Sequence, residues 1–191
     1  MGTESSHKVT FSKLPARFSD ASDVSFGLLW ERKELVQRLK FLLQLLCEEP
    51  THLHVEFLDS VNMGALNWQF RGKGTPTDVL SFPPHRLQSH MEKGSESRTL
   101  PLGELAVCVD VCAVQAKRHR CSLAEEIERM LVHGVVHLKG LDHERSEAAH
   151  RVMTSFEKVL RQSVVGSFGE PKFCSVTSGA SAHRPRRGVR R

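Results

Sequence analysis

The stretch Ser122-Leu-Ala-Glu-Glu-Ile-Glu-Arg-Met-Leu-Val-His133-Gly-Val-Val-His137-Leu-Lys-Gly140-Leu-Asp-His143 decides how the chain is read. Ser122 and Glu125 form the spacing of a capping box, so a helix begins there with its first amides satisfied. Leu123, Ile127, Met130, Leu131 and Leu138 then supply a core stripe for a helix over Ser122 to Lys139. His133 and His137 stand one turn apart on a single face of it, as two imidazoles reaching one metal ion require. His143, six residues further on, cannot share that face. The chain must turn back, and Gly140 is the residue best able to take the left-handed conformation that ends a helix. Three neutral imidazoles, His133, His137 and His143, leave a coordination position open for water, the arrangement of a catalytic rather than a structural zinc centre. A single i, i+4 pair arises by chance in a chain with eleven histidines; three at this spacing, with a glycine at the turn, read as a metal site.

Outward from this helix, Ala149, Val152, Met153, Phe156, Val159 and Leu160 repeat at three and four after Ser146, a last helix with a core face and nothing more. On the N-terminal side, Val111 to Arg120 reads as a helix and Leu102 to Val109 as a strand. Pro84 to Pro101 is a long polar loop, functional or mobile, in which His85 and His90 read as solvent-exposed. Thr77 to Pro83 is a strand entered and left through proline. Val61 to Phe70 is a short helix broken at Arg71-Gly-Lys-Gly-Thr-Pro76. Leu53 to Leu58 alternates with period two, a strand with one buried face and His54 exposed on the other. Leu35, Val36, Leu39, Leu42, Leu43 and Leu46 make Glu31 to Cys47 a strongly amphipathic helix that ends before Pro50.

Length and composition bound the rest. At 191 residues the chain is one domain of ordinary size with a tail. Residues 1–25 read as a polar lead-in with one short strand near Val9 to Phe11, residues 26–163 as the domain, and residues 164–191 as a disordered Arg-rich tail. The net charge of +5 is carried by the end of that tail: from Lys172 to Arg191 stand Lys172, Arg184, Arg186, Arg187, Arg190 and Arg191 without an acid, so the remainder of the chain is close to neutral. Such a tail suits an anionic partner such as RNA, or is simply a solvated end. The longest apolar run, Phe41 to Cys47, is interrupted by Gln44 and far too short for a bilayer, so no membrane partner is expected. Five cysteines, no CxxC pair and no signal peptide place the chain in a reducing cytoplasm, with most thiols buried.

The spacing H-x-x-x-H-x-x-G-x-x-H is also that of the metzincin metallopeptidases, which carry a glutamate general base directly after the first histidine. Gly134 stands at that position, so peptide hydrolysis lacks the group that would deprotonate the water and return the proton to the leaving amine. A phosphodiester asks instead for a metal and a cation to neutralise transition-state charge. Arg71 is a candidate cation, with Lys73 close by.

His133 to His143 read as H-G-x-x-H-L-x-G-x-D-H. Together with Arg71-Gly-Lys, Pro76-Thr-Asp-Val-Leu-Ser-Phe-Pro83 and Leu102-Gly-Glu-Leu, that stretch resembles the YbeY family of endoribonucleases and rRNA maturation factors, over roughly Leu53 to Arg161. The resemblance implies an α+β fold: a single domain with a small mixed β-sheet packed with helices, and a three-His metal site at the end of a central helix. It implies one zinc ion, or another divalent metal, held by His133, His137 and His143, and it carries the family's RNA-cleft arginine onto Arg71; these four are the candidate catalytic residues. It further implies single-strand-specific, metal-dependent RNA cleavage in maturation of the 16S rRNA 3′ end and in ribosome quality control, with the small ribosomal subunit and assembly factors as partners. Leu141 departs from a frequent Tyr and Val136 from a common Leu, and neither removes a ligand. Asp142 either orients a histidine or meets solvent at the helix end. The competing readings are a non-catalytic, metal-stabilised ribosome-assembly factor and a metallopeptidase.

Overall fold

Leu53, Val55 and Phe57 are buried on one face of a strand while His52, His54 and Glu56 alternate onto the other, and this period-two pattern divides the molecule into two layers. The computed structural model describes residues 7–12, 32–84, 99–141 and 146–171. In chain order these form β1 (Lys8–Phe11), α1 (Arg32–Leu46), β2 (Thr51–Leu58), α2 (Ser60–Arg71), β3 (Val79–Phe82), β4 (Leu100–Cys108), α3 (Val109–His119), α4 (Leu123–Leu138) and α5 (Glu147–Phe168). The sheet order is β1-β2-β4-β3. β1 and β4 run parallel to β2, and β3 is antiparallel to β4. The expected small mixed sheet is therefore present.

One face of the sheet carries α1, α4 and α5. Leu39, Leu43, Ile127, Leu131 and Val135 close there on Leu53, Val55, Leu105 and Val107. Leu43, Leu53, Leu105, Ile127 and Leu131 are fully excluded from water, each contributing about 1.5–3 kcal/mol. The other face meets α2, whose Met63 and Leu66 pack on Leu80, Phe82, Ala106 and Cys108. His54 does not project freely from that second face, as its strand position suggested: it is half-buried, and the Thr10 hydroxyl lies 2.8 Å from its Nδ1 and 2.9 Å from His52 Nε2. Among the described residues no helix is long and apolar enough to cross a membrane.

Two boundaries move from their sequence-based positions. β4 starts at Leu100, so Pro101 lies inside the strand, at the irregular register opposite His52 and Leu53. Gly103 follows at φ +136°, where a Cβ would come within 2.4 Å of the Phe82 carbonyl oxygen, so the Leu-Gly-Glu motif marks a backbone crossing that only glycine allows. Residues 164–168, read as part of the tail, are instead helical: α5 runs on to Phe168 and buries Val164. Within α5 the core stripe is Met153, Leu160 and Val164; Val152 and Val159 fall on its flank and are exposed.

What extends α5 is a charge buried under it. Arg38 of α1 is enclosed, and donates from Nη1 to Glu128 Oε2 at 2.8 Å and from Nη2 to the Gly169 carbonyl at 2.7 Å, while Glu34 meets it one turn back. Burial pushes the Glu128 carboxyl above the usual range against the pull of Arg38. Of the four cysteines among the described residues, Cys108 and Cys112 are buried and Cys47 and Cys121 only half-buried, and none of the four is in a disulfide.

Candidate metal centre and its surroundings

The helix that carries the histidines begins as its sequence dictates. Ser122 caps α4: its hydroxyl accepts from the Glu125 amide at 3.2 Å and its own amide donates to Glu125 Oε2 at 2.7 Å. The far end is a Schellman turn, with the Gly140 amide on the His137 carbonyl at 2.9 Å and the Leu141 amide on that of Val136 at 3.3 Å. Gly140 takes φ +83°, the left-handed conformation expected of it. The chain is thus redirected just after His137. His143 and Asp142 lie outside the described residues, as do His85, His90 and the tail arginines.

His133 and His137 do converge. Their Nε2 atoms are 3.1 Å apart and their rings meet edge to face with centroids 4.5 Å apart. Two imidazole nitrogens each about 2.0–2.1 Å from one tetrahedral ion stand roughly 3.3 Å apart, so the pair fits a shared divalent cation. Behind it, Glu157 of α5 places Oε1 2.7 Å from His133 Nδ1. A carboxylate there fixes Nδ1 as the protonated nitrogen and leaves the Nε2 lone pair to face His137. Among the described residues no group of three or more His, Cys, Asp or Glu side chains is placed to hold a metal; they contain two of the three expected ligands. In the sequence Glu157 belongs to a helix that shows only a core face. The one signal that could have found it is its place at the half-buried margin of that face, and nothing in the sequence says that this margin meets His133.

Gly134 is directed into the sheet. A Cβ there would lie 2.7 Å from Leu105 Cδ2 and 3.3 Å from Val79 Cγ2, and its carbonyl accepts the Ser81 hydroxyl at 3.2 Å. Close helix–sheet contact therefore demands glycine where a metallopeptidase would carry its glutamate, and a larger side chain would have to displace Leu105 to enter.

The segment between α2 and β3 is held by Asp78, which accepts from Gln115 at 3.0 Å, from the Val79 amide at 2.9 Å and from Thr77 at 3.1 Å. Burial pushes this carboxyl up, but the three donors overrule it and hold it below its ordinary value. Arg71, the last residue of α2, is exposed beside the left-handed Gly72 (φ 68°), as is Lys73. No contact among the described residues joins Arg71 to the histidine pair; α2 and α4 lie on opposite faces of the sheet.

Glu126, one turn before Met130, is almost fully buried and accepts from Arg129 Nε at 3.1 Å, with His119 Nδ1 at 3.0 Å; Arg129 Nη2 meets its other oxygen. Burial raises this carboxyl, and Arg129 and His119 together bring it below its ordinary range.

Comparison with known proteins bears on this arrangement. The family model described as Endoribonuclease YbeY matches residues 29–164. A protein of Persephonella marina named Endoribonuclease YbeY is 34% identical over 136 residues, covering 71% of this chain and 83% of its own length. One of the same name from Bdellovibrio bacteriovorus is 44% identical over 115 residues, 58% of this chain and 69% of its own. Among solved structures, a Thermotoga maritima protein determined in solution superposes with a TM-score of 0.54 at 23% identity, over 90% of this chain and 97% of the other, a likeness of fold.

Proposed function

This chain belongs to the Endoribonuclease YbeY family, and we propose that it is a metal-dependent endoribonuclease that cuts single-stranded RNA. Its role is rRNA processing, at the 3′ end of 16S rRNA and in ribosome quality control. Its partners are the small ribosomal subunit and its assembly factors in the cytoplasm. The observation that carries the reading is the convergence of His133 and His137 on one point, with Glu157 fixing the tautomer of the first.

His133 and His137, joined by His143, are the residues that would hold the ion. A bound zinc, or another divalent metal, supplies a Lewis acid for a phosphoryl oxygen and lowers the pKa of a water. The chain's own residues do the remainder. Glu157 orients the His133 ring and compensates charge that gathers on it. Arg71, exposed at the end of α2, is free to turn its guanidinium onto a backbone phosphate, where a planar fork of donors binds two oxygens at once. Gly134 offers no carboxylate beside the pair, which disfavours the peptidase reading.

The His133–Glu157 contact also ties α4 to α5, and that favours one second reading: a metal that only pins these helices in a non-catalytic assembly factor. The test is cleavage of a labelled single-stranded RNA by the wild type, by His137→Ala, by Arg71→Glu, and by metal-stripped protein with zinc returned. Loss of cutting in both folded variants and in the stripped protein, with recovery on adding zinc, supports the enzyme. Equal cutting by all samples defeats it, and variants that unfold point to the structural metal.

A further inference from the structure

We infer that the groove between α4 and α5, one helical turn from the histidine pair, is a second phosphate-binding point for the RNA, with Arg161 as its anchor. This rests on the reading that the scissile phosphate lies at His133 and His137. Glu157 of α5 stands opposite His133 of α4, and Arg129 and Arg161 line one cavity, so the two helices run antiparallel. One turn further along α5 comes Arg161, and one turn back along α4 comes Arg129, so the two arginines face the same level of the groove. A turn advances about 5.4 Å, the order of the step between successive backbone phosphates. At that level lies an open cavity of about 280 Å³ lined by His119, Cys121, Glu125, Glu126, Arg129 and Arg161.

The polar groups lining it already have hydrogen-bond partners, except one. Glu126 is taken up by Arg129 and His119, and the Cys121 thiol points to it at 3.7 Å. Glu125 Oε2 is spent on the Ser122 amide. The charge of Arg161 is felt by Glu125 and Glu128, yet among the described residues it closes no hydrogen bond or ion pair with either. Its Nε is buried with no hydrogen-bond partner. A buried N–H of a cation left without an acceptor is unfavourable, and a phosphate oxygen entering the cavity supplies one. Beyond the groove, Lys117, Arg118 and Arg120 are all exposed at the end of α3. No acid occurs between Asp110 and Glu125, so the positive field continues outward along a path for the strand.

The test pairs Arg161→Gln with a single-stranded RNA in which one phosphate next to the cut, on either side, is replaced by an uncharged methylphosphonate. Arg161→Gln is expected to weaken RNA binding about tenfold, mostly in KM rather than kcat. The slope of log affinity against log salt should fall by about 0.7, the value of one single-strand phosphate contact. Arg161→Lys should recover part of the loss. One of the two methylphosphonate substrates should impair the wild type by the same factor and leave Arg161→Gln no worse than it is on normal RNA. If Arg161→Gln fails to fold, Arg161→Met, which keeps the apolar stem, is read in the same cycle. An unchanged KM and salt slope, or equal methylphosphonate losses in both proteins, overturns the inference while wild-type cleavage keeps the nuclease reading. A wild type that does not cut RNA overturns that reading, and the inference falls with it. Free inorganic phosphate that competes with RNA in the wild type while both methylphosphonates are harmless identifies the groove as a site for the small anion, which also overturns it.

Discussion

Replacing Glu157 by alanine should weaken divalent-metal binding at the His133–His137 pair about 10–100-fold. The Oε1–Nδ1 distance is 2.7 Å, and the His133 and Glu157 side chains are only 26% and 18% exposed. A hydrogen bond to a charged group in such surroundings contributes about 1.5–3 kcal/mol. At 1.4 kcal/mol per factor of ten that is about 10–150-fold in affinity, and the residual exposure favours the lower half of the range. Two effects act together in the alanine variant: the ring loses the acceptor that fixes its tautomer, and the carboxylate charge disappears. Glu157→Gln keeps an acceptor and removes only the charge, so it should fall between the wild type and Glu157→Ala. The assay is competition for zinc against a chromophoric chelator at fixed pH, with His137→Ala as the lower limit and circular dichroism to confirm the fold. A Glu157→Ala protein that holds zinc as tightly as the wild type would refute the idea that α5 positions the site.

Other substitutions test how the helix bearing the histidines is seated. Gly134→Ala gains up to about 1 kcal/mol of helix propensity but drives a Cβ to 2.7 Å from Leu105 Cδ2; overpacking at about 1–3 kcal/mol outweighs it, so thermal melting should drop by several degrees, and a stabilised variant would contradict the packing. Arg38→Ala leaves Glu128 enclosed without its counter-charge, a loss of about 3–5 kcal/mol in urea unfolding, and a midpoint that stays put would show that the enclosed pair contributes nothing. Because Glu126 titrates below its ordinary range when folded, its ionised form adds stability above the unfolded-state pKa, and this is lost as pH falls through the folded one. Glu126→Gln should therefore be less stable at pH 7 by about 1–3 kcal/mol and lose less on acidification than the wild type; parallel pH profiles would exclude this role. Glu128 shifts the opposite way, so the comparison is made in single variants. Cys112, whose thiol burial pushes up strongly, should react with alkylating agents only on unfolding, which mass spectrometry after native labelling would check.

The features that could be read directly from the sequence are those encoded by close neighbours. Ser122 and Glu125 announce the start of α4, Gly140 its end, and the four-residue step from His133 to His137 puts both rings on one side of it. The stripe of leucines in α1 and the alternation in β2 are of the same kind. The site's supports are encoded differently. Glu157 meets His133 across 24 residues, and Arg38 meets Glu128 across 90. In a linear reading a charged residue marks a solvated face, so Arg38, Glu126 and Glu128 look like surface; only the packed structure shows each one enclosed with its partner. The same limit hides Arg161. It also explains why Val152 and Val159 were assigned to the core: the three-four repeat identifies a helix, but which flank is covered depends on α4 and α1. Strand order was beyond reach for a related reason, since the pairing of β1 with β2 joins residues 44 apart in sequence, Lys8 with His52.

Arg38 also fixes a sequence of events as the polypeptide leaves the ribosome. Its guanidinium is made 131 residues ahead of the Gly169 carbonyl that completes its shell. Until that last turn of α5 has emerged, α1 carries a cation it cannot enclose without leaving donors unanswered, and the leucine stripe beside it cannot close on the sheet. Domains fold as units during synthesis, and here the unit is defined by its two ends: the nascent N-terminal half should stay open and hydrated around Arg38 until the final helix arrives, which limited proteolysis of stalled chains would check. A truncated product ending inside α5 would carry that opening permanently, exposed to proteases and recognisable as unfinished.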